Sequence, residues 1–141
     1  MVTKFFIPGP PFGKARPRRG KYSTYDPSCN KEYEAKVKAA YLEARGMVDP
    51  SNTPIILMVK AFYPIPETAK RKRKPDKIIE GDICMMKPDV DNILKSVMDG
   101  LNNVAYFDDR QVYDVRCTRT YSDNPGIEVT LITVGGNDDV L

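Results

Sequence analysis

The sequence predicts a single small domain of the α/β (α+β) class, with a mixed β-sheet of about four strands and two main helices. Its 141 residues suffice to bury a hydrophobic core, and 41% of them are hydrophobic, as in ordinary globular domains. Strand-like and helix-like runs alternate along residues 1–141 without an internal repeat. We therefore expect the sheet and the helices to share one core.

Three features of the chain bear on its compartment. No apolar run approaches the roughly 18 residues that a membrane span requires. The N-terminal apolar stretch is short and interrupted by prolines, which is atypical of a signal peptide. Cys29, Cys84 and Cys117 show no paired spacing and are expected to be reduced thiols. These features predict a cytoplasmic protein without a membrane partner.

The N-terminal part of the chain predicts a strand, a basic loop and a helix. Thr3–Ile7 is expected to form a short strand that prolines terminate. A helix is expected from Asp26-Pro27 to Gly46, because aspartate caps a helix and proline fits its first turn. Glycine and proline make the segment between them a loop, and it carries five cations suited to phosphate contacts: Lys14, Arg16, Arg18, Arg19 and Lys21. A solvated loop is the alternative interpretation.

The middle of the chain predicts a central strand followed by a flexible basic loop. Ile55–Tyr63 is almost continuously apolar, which is typical of a strand at the centre of a sheet. Residues 66–82 contain a run of like charges, which repel one another and favour a mobile segment. We expect this loop to close on a polyanion, although a disordered surface loop or a localisation tract has the same composition. Its cations are Lys70, Arg71, Lys72, Arg73 and Lys74.

The stretch Lys87–Lys95, read KPDVDNILK, predicts the start of an amphipathic helix bearing carboxylates. Asp91 or Asn92 is expected to cap this helix, because such side chains accept the N–H groups of a first turn. Lys95 lies four residues after Asp91 and shares its helix face. Asp108-Asp109 follows about a dozen residues later, and folding can bring the two acidic points together at the helix N-terminus.

Clustered carboxylates of this kind suit a hard divalent cation. Mg²⁺ prefers oxygen ligands and usually binds one or two carboxylates together with substrate phosphates. The alternative is a capped helix and a polar turn whose acids are solvated. The chain contains no histidine, which excludes histidine-based nucleases, Ser-His-Asp hydrolases and the usual catalytic zinc sites. Acid–base chemistry must therefore come from Asp, Glu, Lys, Tyr or metal-bound water.

Charge is divided unevenly along the chain. Residues 1–80 carry a net charge of +9 and residues 81–141 a net charge of −6, which together give the overall +3. A basic half suits a polyanion and an acidic half suits a cation.

The C-terminal part of the chain predicts two strands and a tail. Gln111–Tyr121 and Ile127–Val134 are strand-like, and the turn-forming Ser122–Gly126 lies between them. This arrangement predicts a β-hairpin. Residues 135–141 are expected to be frayed.

Three pieces of the sequence resemble the RusA family of Holliday junction resolvases, many of which are encoded by phages and prophages. The first is IPGPPFGKARPRRGK, at the end of the first strand. The second is PDVDNILKSVMDGLNN, which is similar to the family signature of Asp-x-Asp-Asn, an apolar residue and a lysine. The third is YFDDRQV. Together they span most of residues 5–115.

The resemblance implies a homodimeric, Mg²⁺-dependent endonuclease that nicks four-way DNA junctions symmetrically in recombination and repair. Asp89, Asp91 and Asp109 match the essential carboxylates of the family, and Lys95 matches its essential lysine. Asp108 matches an acidic neighbour of the metal site. Two alternatives remain, namely a non-catalytic nucleic-acid-binding module and a metal nuclease that acts on other branched DNA.

Overall fold

A four-stranded sheet forms the centre of the computed structural model, which describes residues 1–15, 18–21, 24–25 and 28–135. The strands of this sheet are β1 (Val2–Pro8), β4 (Ile55–Pro64), β5 (Val112–Ser122) and β6 (Gly126–Thr133). A separate two-residue pair, β2 (Arg18–Arg19) and β3 (Thr24–Tyr25), lies in the N-terminal basic region. The predicted four-stranded sheet is confirmed, with strand ends within one residue of those expected.

The order of the strands in the sheet is β1-β6-β4-β5, and β4 lies between the antiparallel pairs and the parallel pair of the sheet. It pairs antiparallel with β6 and parallel with β5. The predicted hairpin of β5 and β6 is therefore wrong, because β4 lies between them. The central position of β4 is confirmed, and there both edges of this apolar strand have their backbone groups paired.

Two helices pack on one face of this sheet. They are α1 (Ser28–Arg45) and α3 (Val90–Leu101), and they are the two main helices that the sequence predicts. Alternate residues of β4 point into this core, where they meet apolar residues of both helices. Gly100 allows the close approach of the helices, because a Cβ there would lie 2.6 Å from the Cβ of Val37.

The ends of the helices agree only in part with the sequence prediction. Gly46 follows α1 with a φ of +86°, and its N–H donates to the carbonyl of Leu42 over 2.8 Å, so this helix ends as predicted. Its expected start at Asp26-Pro27 lies outside the described residues. Asp89 occupies the N-cap position of α3, so the prediction of Asp91 or Asn92 as the cap is wrong. The helix begins two or three residues earlier than predicted, and Asp91 lies within its first turn.

The basic segment after β4 contains a short helix, α2 (Glu67–Lys70), that the sequence analysis did not predict. Hydrogen bonds tie this segment to itself and to β5: Ile78 N–H donates to the Ala69 carbonyl and Gly81 N–H to the Tyr121 carbonyl. All five cations at positions 70–74 are exposed. Of the predicted tail, only Gly135 lies within the described residues. No helix in the described part of the chain combines the length and apolarity needed to cross a membrane.

Candidate functional site

The first acidic group stands at the N-terminus of α3. Asp89 is exposed, has an extended backbone (φ −82°, ψ 173°) and makes no capping hydrogen bond with its side chain. Asp91 is exposed in the first helical turn. Both carboxylates therefore face solvent at a helix end whose N–H groups favour negative charge or an anionic ligand.

Arg119 and Tyr63 hold the peptide segment that leads to Asp89. The Arg119 Nη1 atom donates to the carbonyls of Met86 (2.7 Å) and Pro88 (3.2 Å). The Tyr63 hydroxyl also donates to the Pro88 carbonyl, and the guanidinium carbon lies 5.9 Å from the centre of the Tyr63 ring. A hydrogen bond with Tyr63 is the main reason that the pKa of Arg119 is raised. The sheet thus fixes the position of the first acidic group through two side chains.

A cleft of about 600 Å³ opens beside Asp89. Its walls carry both signs of charge, being formed by Gly13, Lys14, Lys87, Pro88, Asp89 and Asn92. The loop after β1 packs tightly here, since a Cβ on Gly13 would lie 2.5 Å from the Cβ of Pro88. An exposed lysine such as Lys87 next to a carboxylate suits a phosphate and a cation in one place.

Lys14 contacts α3 at two points, near its N-terminus and near its C-terminus. Its backbone N–H donates to the Asn92 carbonyl over 3.3 Å, and its ammonium group lies 2.5 Å from Asp99 Oδ2. Ser96 adds a second tie between this loop and the helix, because its hydroxyl lies 3.0 Å from the Phe12 carbonyl. The basic loop is therefore attached to the acidic helix at its base.

The second acidic group is the turn Asp108-Asp109, which leads into β5 through a 3₁₀ helix (Asp109–Gln111). Asp108 Oδ1 accepts from the Arg110 N–H over 2.9 Å, which is the main reason that the pKa of Asp108 is lowered. The pKa of Asp109 is raised, chiefly through a side-chain hydrogen bond with Asp108 and further by the nearby charges of Asp108 and Asp99. Neighbouring carboxylates of this kind gain from a bound cation.

Gln111 fixes this turn with four hydrogen bonds. Its Oε1 atom accepts from the N–H groups of Phe107 (2.9 Å) and Asp108 (3.1 Å). Its Nε2 atom donates to the carbonyls of Ser51 (2.8 Å) and Thr53 (3.0 Å), in the loop before β4. The side-chain amide uses its donors and acceptor fully, and it connects the acidic turn to the sheet.

The two acidic groups lie at opposite ends of α3. Asp91 and Asp99 are eight positions apart, which amounts to about 12 Å along a helix axis. Asp99, at the C-terminal end, is the helix carboxylate that influences Asp109. Among the residues that the structure describes, no three acidic or cysteine side chains form a group able to hold a metal ion. The carboxylates suit Mg²⁺ chemically, but one chain does not gather Asp89, Asp91 and Asp109 around one point.

The remaining predicted site residues are mostly exposed. Lys95 projects from α3 between the acidic groups, and Arg19 and Lys21 are exposed in the basic loop. Arg16 lies outside the described residues, and for Arg18 only the backbone is described. Within the basic segment, Lys70 approaches Glu67 (3.2 Å) and Asp123 (3.9 Å).

Sequence reasoning missed the residues that position the acids. For Gln111 a signal was present, because an Asp followed three residues later by Gln is a helix-capping pattern, and the structure shows both reciprocal bonds. Nothing local in the sequence marks Arg119 or Tyr63, since their contacts span more than 20 residues.

Two comparisons relate the chain to known proteins. The sequence model of the family described as "Endodeoxyribonuclease RusA" matches residues 8–132. A Bacillus subtilis (strain 168) protein named "Uncharacterized protein YqaN" is 32% identical over 134 residues, which cover 91% of this chain and 94% of that protein. The matched region includes both acidic groups and the basic segments.

Proposed function

Because this chain belongs to the RusA family of endodeoxyribonucleases, we propose that it cuts four-way DNA junctions by paired symmetric nicks in a Mg²⁺-dependent reaction. The supporting observation is the pair of exposed carboxylates, Asp89 and Asp91, at a helix end beside a cleft that the exposed Lys87 also lines. Cleavage of a phosphodiester calls for carboxylates to hold a cation and for positive charge near the phosphate oxygens, and residues of both kinds stand beside this cleft.

Four carboxylates would hold the cation: Asp89, Asp91 and Asp109, with Asp108 as their neighbour. A bound Mg²⁺ would supply Lewis acidity at the scissile phosphate and would lower the pKa of a water molecule. Lys95 contacts the phosphate and offsets the charge that develops on it during in-line attack. Arg119 and Tyr63 keep Asp89 in place, while Gln111 does the same for Asp108 and the adjoining Asp109.

DNA would be held by the two basic segments. The N-terminal loop contributes Lys14, Arg16, Arg18, Arg19 and Lys21, and the segment after β4 contributes Lys70, Arg71, Lys72, Arg73 and Lys74. Phosphate contacts of this sort position a nucleic acid without reading its sequence. They suit a substrate that is recognised by its branched shape.

The active species would be a homodimer with two-fold symmetry. A four-way junction presents two equivalent strands, and a C₂ dimer can place one cutting site on each. The separation of the acids along α3 gives a second reason. If Asp89 and Asp91 cannot reach Asp109 of their own chain, then Asp109 of the partner subunit has to complete each metal site.

A non-catalytic branched-DNA-binding module is the second candidate, and the lack of a three-acid group within one chain favours it. One assay separates the two. Purified protein is incubated with labelled four-way junction, flap, fork and linear duplex, with Mg²⁺ and with EDTA. We expect symmetric nicks in the junction with Mg²⁺ and none with EDTA. Tight junction binding without any cutting would overturn the proposal that the protein is a nuclease. Preferential cutting of flaps or forks would overturn the proposal that four-way junctions are its substrate.

A further inference from the structure

A second cavity, of about 560 Å³, lies where the C-terminal end of α1 meets the sheet. Its volume falls within the range of about 300–1,000 Å³ that is typical of small-ligand sites. Thr3 and Thr133, at the ends of β1 and β6, line it together with Tyr41 and Arg45 of α1. This cavity shares no residue with the cleft beside Asp89, and none of its lining residues belongs to the predicted site.

Hydrogen bonds join this cavity to the acidic turn. Ser51 and Thr53 line the cavity, and their carbonyls accept from the Gln111 Nε2 atom over 2.8 Å and 3.0 Å. The Ser51 N–H donates to the carbonyl of Ala105, another lining residue, over 3.0 Å. Gln111 also accepts from the Phe107 N–H over 2.9 Å. A molecule in the cavity therefore lies at a fixed position beside the acidic turn.

Phe107 offers an exposed aromatic ring at this position. It lines the cavity, is 56% exposed and directly precedes Asp108. The neighbouring Tyr106 is fully buried, so the exposure of Phe107 is not shared by the aromatic residue beside it. Bases of a nucleic acid stack on exposed aromatic rings, and each stack makes a large contribution to affinity. Phe107 therefore has both the exposure and the location for such a contact.

The polar groups of the cavity favour a neutral ligand over a phosphate. Its charged side chains, Arg45 and Asp49, have opposite signs, and the C-terminus of α1 adds partial negative charge. The hydroxyls of Thr3 and Thr133 and the amide of Asn52 line it as well. A nucleobase has flat faces for stacking and an edge of hydrogen-bond donors and acceptors. The cavity therefore suits a base better than it suits the backbone of a nucleic acid.

We propose that this cavity receives one nucleobase of the DNA strand that is cut, taken out of the base stack next to the branch point, with Phe107 stacked on it. The inference rests on the proposed function, which puts the scissile phosphate at Asp109, two residues after Phe107. Taking a base out of the stack costs least where pairing or stacking is already broken, as it is at an open branch point. The cavity thus selects a branch over continuous duplex, which phosphate contacts alone do not do.

Removal of single bases tests the cavity without altering the protein. Four-way junctions are prepared that each carry one abasic nucleotide, either next to the branch point or far along an arm. Their dissociation constants are measured by fluorescence anisotropy without Mg²⁺, so that no strand is cut. One position next to the branch point should weaken binding by about 5- to 100-fold, as expected for the loss of one stacked base. Abasic nucleotides far along the arms should leave binding unchanged.

Substitution of Phe107 then shows whether the ring and the base act together. Phe107→Ala should weaken binding of the intact junction by a similar factor, and it should weaken binding of the sensitive abasic junction no further. Phe107→Tyr keeps an aromatic ring and should bind like wild type. Met47→Ala removes a 90% exposed side chain that follows α1 and lies outside the cavity. This control should bind both junctions as wild type does.

The inference is wrong if no abasic position next to the branch point weakens binding, or if the losses from Phe107→Ala and from the missing base multiply. It is also wrong if Phe107→Tyr loses as much affinity as Phe107→Ala. The nuclease proposal is judged separately, by cutting of the intact junction with Mg²⁺. Coupled losses in a protein that never cuts would refute only the nuclease, and cutting without a coupled loss would refute only the base-binding cavity.

Discussion

At the scale of single residues, the proposed site consists of exposed acids and of partly buried side chains that hold the backbone around them. Asp89, Asp91 and Asp109 are exposed, so their chemistry depends on where the backbone places them. Gln111 and Arg119 provide that placement through bonds to main-chain atoms. Substitutions of the two kinds should therefore differ in their effects on cutting, binding and stability.

Asp91→Asn should abolish Mg²⁺-dependent cutting and preserve junction binding. Loss of a direct metal ligand should lower the cleavage rate by about 100-fold or more. Even mutating a residue that only hydrogen-bonds to a metal ligand typically lowers metal affinity or activity 10–100-fold. Single-turnover cleavage and gel-shift titration measure the two properties. Glu32→Gln on α1 also loses one negative charge and should cut normally. Near wild-type cutting by the Asp91 variant would remove this residue from the metal site.

Gln111→Ala should release the acidic turn. Four hydrogen bonds are lost, so the free energy of unfolding should fall by about 1–3 kcal/mol, as expected when each bond contributes modestly. Amide hydrogen exchange at Phe107 and Asp108 should accelerate, and the cleavage rate should fall while the junction dissociation constant stays the same.

Gln111→Glu separates the hydrogen bonds that the side chain accepts from the turn from those that it donates to the loop before β4. A glutamate keeps an acceptor for the Phe107 and Asp108 N–H groups but loses both donors to Ser51 and Thr53. Exchange at Phe107 and Asp108 should remain slow in this variant. Unchanged exchange at both amides in Gln111→Ala would show that the turn holds its shape without the side chain.

At the scale of elements, we propose that the two basic segments bind DNA while α3 carries the acids. The N-terminal loop is anchored on α3 through Lys14 and Ser96. The segment after β4 begins with α2 and ends against β5. Each segment is therefore tied to the rest of the fold at its base, and each should contribute separately to DNA binding.

Neutralising either basic segment should flatten the salt dependence of junction binding. On duplex arms, each lost phosphate contact should reduce the slope of log K against log salt by about 0.9. Binding is titrated between low and moderate salt for two triple glutamine variants and a control of equal charge. The variants replace Arg16, Arg18 and Arg19, or Arg71, Lys72 and Arg73, and the control replaces Lys31, Lys36 and Lys38. A segment whose variant keeps the wild-type slope does not contact phosphate.

At the scale of the whole molecule, the question is how many chains build one metal site. Mixing Asp91→Asn chains with Asp109→Asn chains answers it. If two chains share each site, the mixed dimer keeps one site with every carboxylate intact, and it should nick a cruciform in a supercoiled plasmid once. If each chain builds its own site, every site in the mixture carries a lesion and no nick should appear.

Each variant alone should be inactive, and wild type should give paired cuts and linear product. Paired cuts by a chain that remains monomeric on the junction would contradict both arrangements.

The sequence by itself determined the main elements and marked the candidate acids, because both signals are local. Apolar patterning placed the four strands of the sheet within one residue and located both main helices, although it put the start of α3 too late; the order Asp-x-Asp-Asn, Lys, Asp-Asp marked the candidate acids. Only the tertiary structure decided that β4 separates β5 from β6 and that α3 holds its acids apart. Pairing and distance depend on contacts between residues far apart in the chain, such as Gln111 with Ser51 and Arg119 with Pro88. No local pattern encodes those contacts, since they exist only when the core has formed.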